Sequence, residues 1–525
     1  MKRIILFLVV SITFFSCSNK TERRYDVPQK ITVAGKIDNY DPNEEVIIAV
    51  NRLGFWQESI LAKMDNDGNF TATFESYIPL NAWVCYKTNF LVLLHPNDSL
   101  FMHFDGKFNN RPELLESINF DGDAAKTNQY AAKFQQMYFS NEIYSDWDKK
   151  RKAEKEYDTD QYLQYLDTIQ QKSTEIYNRF IVENNPDYES RKWALLFIEN
   201  TYYDNISWYS FKHRQANQMN PDWDNSWHVP KGFYDRLCNR LPLDESMFIN
   251  ADGLFSFHNT FFRYVHDKLK DRETDGLWRF DANREGIIAP VAIRDSVQIF
   301  SFIELVPDPL LLQIMLTEFF DQRFNSQDIA AYERFRDVAD TYIKEPFLKE
   351  PLIQKYIQTK HRKENPQAYT ENIQKETAQL TLKGAVHLTL KEDANLSVSQ
   401  IMDSIYQQNK GKVIYIDFWG TWCGPCLAEM PNSNIVEHEF EGKDVVFVYI
   451  CLESEENQWK ATIEKFKLGG QHFLLSNKQS AEIRKLFSLV GVPFYILVDK
   501  NGVNKEWGSH LRPFTAKDKI KEMLK

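Results

Sequence analysis

Two cysteines two residues apart, Cys423 and Cys426, close the run Val413-Ile-Tyr-Ile-Asp-Phe-Trp-Gly-Thr-Trp-Cys-Gly-Pro-Cys426. No other stretch limits the fold so tightly. Val413 to Phe418 are mostly β-branched or aromatic, the composition of a buried central strand. Leu427 to Met430 are good helix formers, so the cysteines stand where a strand hands over to a helix. Free backbone N–H groups and the helix dipole at such a start favour a thiolate. The spacing predicts Cys423 at an exposed tip as the attacking sulfur. Cys426, one turn into the helix, is expected to be more buried and to act as the resolving thiol. One cysteine can then attack a disulfide and the other release the product. A CxxC is also half of a zinc site, but that needs a second CxxC or a Cys/His pair at ligand spacing. The chain has neither, so no metal is expected. Trp422 before the pair and Gly424-Pro425 within it favour redox chemistry.

Together these residues resemble the thioredoxin superfamily. Trp422-Cys-Gly-Pro-Cys426 matches the motif typical of thioredoxin itself, and Pro431 falls where the family helix is kinked. Asp417 stands where the family keeps a carboxylate behind the resolving cysteine, which implies a proton acceptor for Cys426. Gly491-Val-Pro-Phe494 resembles the cis-proline loop that faces the CxxC. Pro493 would be the cis residue, with the Val492 backbone open to pair with a bound substrate strand. Tyr495 to Asp499 and the Lys500-Asn-Gly502 turn look like the family's last hairpin. Three details are similar to the TlpA/ResA-like branch of extracytoplasmic thiol-disulfide oxidoreductases. These are Gly420-Thr-Trp-Cys423 with Glu429 and Pro431 following, the longer insert before the cis-proline, and the lead-in from Leu380 to Lys412. Asp417 departs from several members of that branch, which place their buried acid differently, and this leaves the role of Glu429 open.

The resemblance covers roughly residues 375–525. It implies an α/β thioredoxin fold with a central mixed sheet, a redox-active disulfide with no other cofactor, and exported proteins with disulfides as substrates. A membrane thiol carrier is the implied electron donor. Gly-Pro between the cysteines is the dipeptide of reducing members, at about −270 mV in thioredoxin against about −120 mV for a strong oxidant. A reductase is therefore the expectation. An oxidase or isomerase is one alternative. Another is a binding protein whose redox pair regulates capture of a ligand or partner.

The chain begins with Lys2 and Arg3, an apolar run from Ile4 to Phe15, and Ser16-Cys17. About a dozen apolar residues are too few to span a bilayer. The segment resembles a lipoprotein signal peptide over residues 1–17, cut before Cys17 so that this cysteine carries a lipid. Phe14 and Phe15 depart from the usual pattern, and an ordinary secretory signal or an uncleaved anchor are the other readings. Residues 18–27 read as a polar tether. With Cys17 lipidated and Cys423 and Cys426 paired, Cys85, Cys238 and Cys451 remain, an odd and scattered set that is no disulfide framework. Cys451 ends the apolar run Val445 to Ile450, where a small buried residue is expected, unless it lies close enough to interfere with the site.

A formal net charge of -11 gives no sign of nucleic-acid binding. The 525 residues hold material for several packed domains, and the pattern changes twice along them. Residues 28–122 read as a small β domain, with strand-like runs Ile31–Ile37, Val46–Asn51, Phe70–Glu75, Trp83–Lys87, Phe90–Leu94 and Leu100–Phe104. Asn66-Asp-Gly68 is a turn signal, far better suited to a hairpin than to calcium. This region resembles the small β domain that precedes thioredoxin domains in Bacteroidota lipoproteins. Residues 123–375 read as an α-helical middle domain. Tyr162, Leu166, Ile169, Ser173, Ile176 and Phe180 share one helix face, Pro309 starts a helix through Phe320, and Ile329 to Ile343 continues in the same manner. Asn205 to Asp252 is expected to hold long loops. The density of aromatics from Trp193 to Phe262 could line a groove, but a helical core filled by rings is the simpler reading. The C-terminal thioredoxin-like domain then takes residues 376–525.

Overall fold

The computed structural model describes residues 25–367 and 397–525, apart from positions 43, 218–219, 221, 225, 271, 273–275, 282–285, 488 and 490. Cys17 and the lead-in before Ser397 lie outside the described residues.

The N-terminal part is built from two β-sheets. Five strands run in the order Lys63–Met64, Asn69–Ser76, Gln29–Asp38, Ser99–Asp105, Asn119–Gly122, and four in the order Glu58–Leu61, Ile47–Val50, Leu80–Tyr86, Thr88–Leu94. Asn69–Ser76 and Ser99–Asp105 bury every second residue, the period of a sheet with one wet face. Phe104 meets Phe70 within its own sheet and Tyr86 and Phe90 from the other, which seals the core between them. At the Asn66-Asp-Gly68 turn Gly68 takes φ +79°, and Asp65 Oδ1 accepts from the Asp67 and Asn69 amides. The short strands Glu58–Leu61, Lys63–Met64 and Asn119–Gly122 and the helix Arg111–Ser117 had no clear sequence signal.

The middle of the chain is helical. Thr159–Asn184 opens on a capping box from Asp158 and Gln161 and buries Tyr162, Leu166, Ser173, Ile176 and Phe180. Ile169 is only half-buried. Asn205 does not begin a loop: the helix Tyr188–Asn217 runs on, because Ile206, Tyr209, Ser210 and His213 continue its buried face. Tyr209 stacks on Tyr162 at 4.0 Å, so aromatic packing holds this turn helical where composition suggested a loop. Trp193, Phe257 and Phe261 are likewise core. Asp308 caps the helix Pro309–Asn325 through the Leu311 amide. The segment after Ile329 breaks into two short helices at Phe335 rather than forming one. A small hairpin pairs Arg279–Asp281 with Gly286–Ile288, and the Leu241–Pro242 bond is cis; neither was anticipated.

The C-terminal part is an α/β layer around a mixed sheet in the order Gln471–Leu474, Val445–Cys451, Val413–Trp419, Phe494–Val498, Asn504–Gly508. Val413–Trp419 is the central strand, buried along its whole length, parallel to Val445–Cys451 and antiparallel to Phe494–Val498. Alternation sends Ile414, Ile416 and Phe418 to one face, with Val398–Gln408 and Asn477–Phe487. Val413, Tyr415 and Trp419 go to the other, beside the helices Gly424–Glu439 and Pro513–Leu524. Among the described residues no helix is long and apolar enough to cross a membrane.

Candidate active site

The central strand ends at Trp419, and the helix Gly424–Glu439 starts five residues on. Cys423 is its N-cap, so its sulfur accepts from the Cys426 amide at 3.2 Å. Cys423 and Cys426 form a disulfide. The Val492–Pro493 bond is cis, and the Val492 carbonyl oxygen lies 3.5 Å from Cys423 Sγ. The structure thus brings together the dithiol and the cis-proline loop, 69 residues apart in sequence. Next to the pair, the Cys423 amide donates to the Gly420 carbonyl, and the Trp422 indole N–H to the Leu452 carbonyl at 3.3 Å. Trp422 and Pro425 are exposed.

The expectation that Cys423 sits at an exposed tip is not met. It is only 3% exposed, against 2% for Cys426, while the neighbouring Trp422 is 53% exposed. Two remote segments come close to the residues around the pair. Gln215, near the end of Tyr188–Asn217, brings its side-chain nitrogen to 3.2 Å from where Gly424 would carry a Cβ. Trp56 of the β domain reaches to 4.0 Å from the corresponding point on Gly491, in the cis-proline loop.

Asp417 lies on the face of the central strand that carries both cysteines. It is 2% exposed, and its Oδ1 has no hydrogen-bond partner among the described residues. Burial, and secondarily the charge of Glu429, pushes its carboxyl well above the usual carboxylate range. Tyr415 and Tyr495 stack nearly parallel, ring centres 5.5 Å apart, within the same apolar cluster. Glu429 is not buried alone. It accepts from Arg512 at 2.5 Å and from Asn432 at 2.8 Å. Arg512 caps the last helix, 83 residues from Glu429, and no local pattern marks it for this role.

Cys451 is fully buried at its strand end, with its thiol pushed up to about 12, chiefly by burial. Cys85 is pushed up to about 11 for the same reason. Both thiols should therefore resist iodoacetamide at pH 8 in the folded chain and react only after unfolding, as mass spectrometry of labelled protein can check. Among the described residues no group of three or more His, Cys, Asp or Glu could hold a metal.

A thioredoxin-like family model matches residues 411–503. The chain is similar to the thiol-disulfide oxidoreductase ResA of Bacillus cereus (strain ATCC 10987), 28% identical over 28% of this chain and 90% of the relative. A ResA of Bacillus thuringiensis subsp. konkukian is 29% identical over 22% of this chain and 64% of that protein. The ResA of Oceanobacillus iheyensis is spanned over 57% of its length. Among solved structures, the thioredoxin domain of a thiol-disulfide oxidoreductase from Bacteroides vulgatus is 25% identical, covering 23% of this chain and 84% of that one, with a TM-score of 0.22. A second Bacteroides vulgatus structure, of a putative thiol-disulfide oxidoreductase, is 32% identical over 22% of this chain and 77% of its own, with a TM-score of 0.20.

Proposed function

From a ResA-like, thioredoxin-superfamily redox domain as premise, we propose that the chain is an extracytoplasmic thiol-disulfide oxidoreductase that reduces disulfides in exported proteins. The observation that carries this is the position of Cys423 Sγ, held at a helix start and facing the Val492 carbonyl. In the reduced enzyme Cys423 is the nucleophile. Its thiolate attacks one sulfur of the substrate, the substrate S–S bond breaks, and one substrate sulfur leaves as a thiolate. The other stays in a mixed disulfide with Cys423, with the substrate strand paired along Val492-Pro493. Cys426 then gives its proton to Asp417, directly or through one water, and attacks Cys423. The Cys423–Cys426 bond forms, the second substrate sulfur departs and is protonated, and two electrons have passed to the substrate. A carboxyl with a raised pKa is a better base than an ordinary one once it is ionised, which suits Asp417 to this step. Trp422, Gly424 and Pro425 shape the approach to the pair.

No cofactor beyond the Cys423–Cys426 pair is needed. A membrane thiol carrier is the proposed electron donor, and a lipid on Cys17 the proposed attachment to the cell envelope. The reduction potential of the pair tests the direction. Equilibrated in thiol redox buffers and read by alkylation, with Cys423→Ser as control, it should fall near about −270 mV. A value near about −120 mV would make the enzyme an oxidant instead.

A further inference from the structure

Beside the cis-proline loop lies a cavity of about 530 Å³ that no step above uses. Its walls come from all three parts of the chain. The β domain supplies Arg52 and Trp56, the helical part Lys355 and Arg362, and the redox domain Arg484 and Lys485. Phe487, Phe494 and Trp507 give it an aromatic floor, and Phe494 directly follows Pro493.

Its charge is unlike that of the rest of the chain. The whole sequence has 74 acidic against 63 basic residues, yet the lining contains five cations and one carboxylate, Glu58. Three of the cations face carboxylates: Arg52 faces Glu58, Lys355 faces Asp321, and Arg484 faces Glu453. Lys485 is exposed and forms no ion pair among the described residues.

Trp56 is held in place. Its backbone N–H donates to Asp321, a carboxylate buried on the helix Pro309–Asn325, which Lys355 and Asn325 also engage. Its ring meets Phe255 edge-on at 6.5 Å. Two residues earlier Gly54 takes φ +77°, and a Cβ there would come within 2.9 Å of Thr317, so this loop can seat on the helix only with glycine. From that seat Trp56 lines the cavity and also reaches Gly491 of the cis-proline loop. Behind the cavity, the Cβ position of Gly508 lies 3.2 Å from the Asn325 carbonyl, so the redox and helical parts touch there too.

We infer that this cleft receives an acidic, aromatic-bearing segment of the substrate polypeptide, next to the disulfide being reduced. The inference rests on the redox reading above and assigns the substrate class. A strand that pairs at Val492-Pro493 runs past Trp56 into the cleft. There its carboxylates meet Lys485, and its rings meet Phe487, Phe494 and Trp507. Electrostatic complementarity of this kind selects partners and weakens with salt.

The test is binding to the oxidised full chain, which separates the cleft from turnover. The probes are two fluorescent, cysteine-free peptides of one length, one carrying Asp, Glu and Tyr, the other Lys in place of the acids. By anisotropy at low salt the acidic peptide should bind at least about 10-fold tighter, and the preference should shrink in 0.5 M salt. K485E should erase the preference. K485Q should reduce it, which guards against misfolding of the charge-reversed variant. W56A should weaken both peptides. Equal affinities for the two peptides, or a preference unmoved by these substitutions, would overturn the inference. Acidic preference in a chain that turns over no disulfide of any kind would uphold the cleft and sink the redox reading instead.

Discussion

Cys423→Ser should lower disulfide reduction by at least about 1000-fold, while Cys426→Ser should accumulate a covalent adduct with substrate. The two outcomes differ because the two sulfurs occupy different positions on one helix. Cys423 caps the helix start, where the Cys426 amide points at its sulfur from 3.2 Å. That arrangement favours a thiolate, the attacking species. A serine oxygen can accept the same amide bond and cap the same helix, so the fold should survive, but a hydroxyl at this position stays protonated and does not attack disulfides. Cys426 lies in the first turn, 2% exposed, and in the role proposed for it releases the substrate by attacking Cys423. With serine there the first exchange still proceeds, and nothing intramolecular releases the product. Intact-mass measurement after incubation with a disulfide peptide should show the chain plus one peptide thiol, removable by dithiothreitol. Residual turnover in Cys423→Ser above about one part in a hundred would place the nucleophile elsewhere.

What the sequence made legible was local. The strand Val413–Trp419 and the cysteine pair at its end could be read because each writes its signal in a few adjacent residues, and the cis bond at Pro493 because Gly491-Val-Pro-Phe494 resembles the cis-proline loop of a known family. The long face of Thr159–Asn184 could be read for the same reason. Tertiary determinants were not legible. Asn205 to Asn217 has the composition of a loop and is helical, because Tyr209 stacks on Tyr162, 47 positions earlier in the chain, and buries that face. Gln215 and Trp56, which come close to Gly424 and Gly491 at the site, lie more than 200 residues upstream of Cys423. Arg512 meets Glu429 across 83 residues, which answers in part what the sequence left open about that acid. Its charge is engaged by an arginine, and it acts on Asp417 through its field.

That field bears on the second large effect, in which one substitution should move activity and stability in opposite directions. Asp417 is buried, its Oδ1 without a hydrogen-bond partner among the described residues, and its carboxyl is pushed well above the usual range, first by desolvation and then by Glu429. A carboxyl whose folded-state pKa is raised binds its proton more tightly in the folded chain than in the unfolded one. Stability from this group is therefore greatest at acid pH. It falls as pH rises above the unfolded value of about 3.9, until the folded-state pKa is passed. Above that point the folded chain carries the full cost of a buried, poorly solvated anion. Asn cannot ionise, so Asp417→Asn should be more stable than the parent at pH 8, by at least about 1 kcal/mol. The difference should close below about pH 4. Asp252, Asp321 and Glu437 are also raised by burial, but they remain in both proteins, so the difference between the two denaturation series isolates Asp417. Activity should move the other way. Without a proton acceptor behind it Cys426 resolves the mixed disulfide more slowly, by roughly 100-fold, the lower end of what a positioned base contributes. The parent's rise of rate with pH through the Asp417 ionisation should vanish in the variant. If Asp417→Asn were stabilised at pH 8 yet resolved the mixed disulfide at the parent rate, the buried anion would be real but idle, and Cys426 would lose its proton to another base.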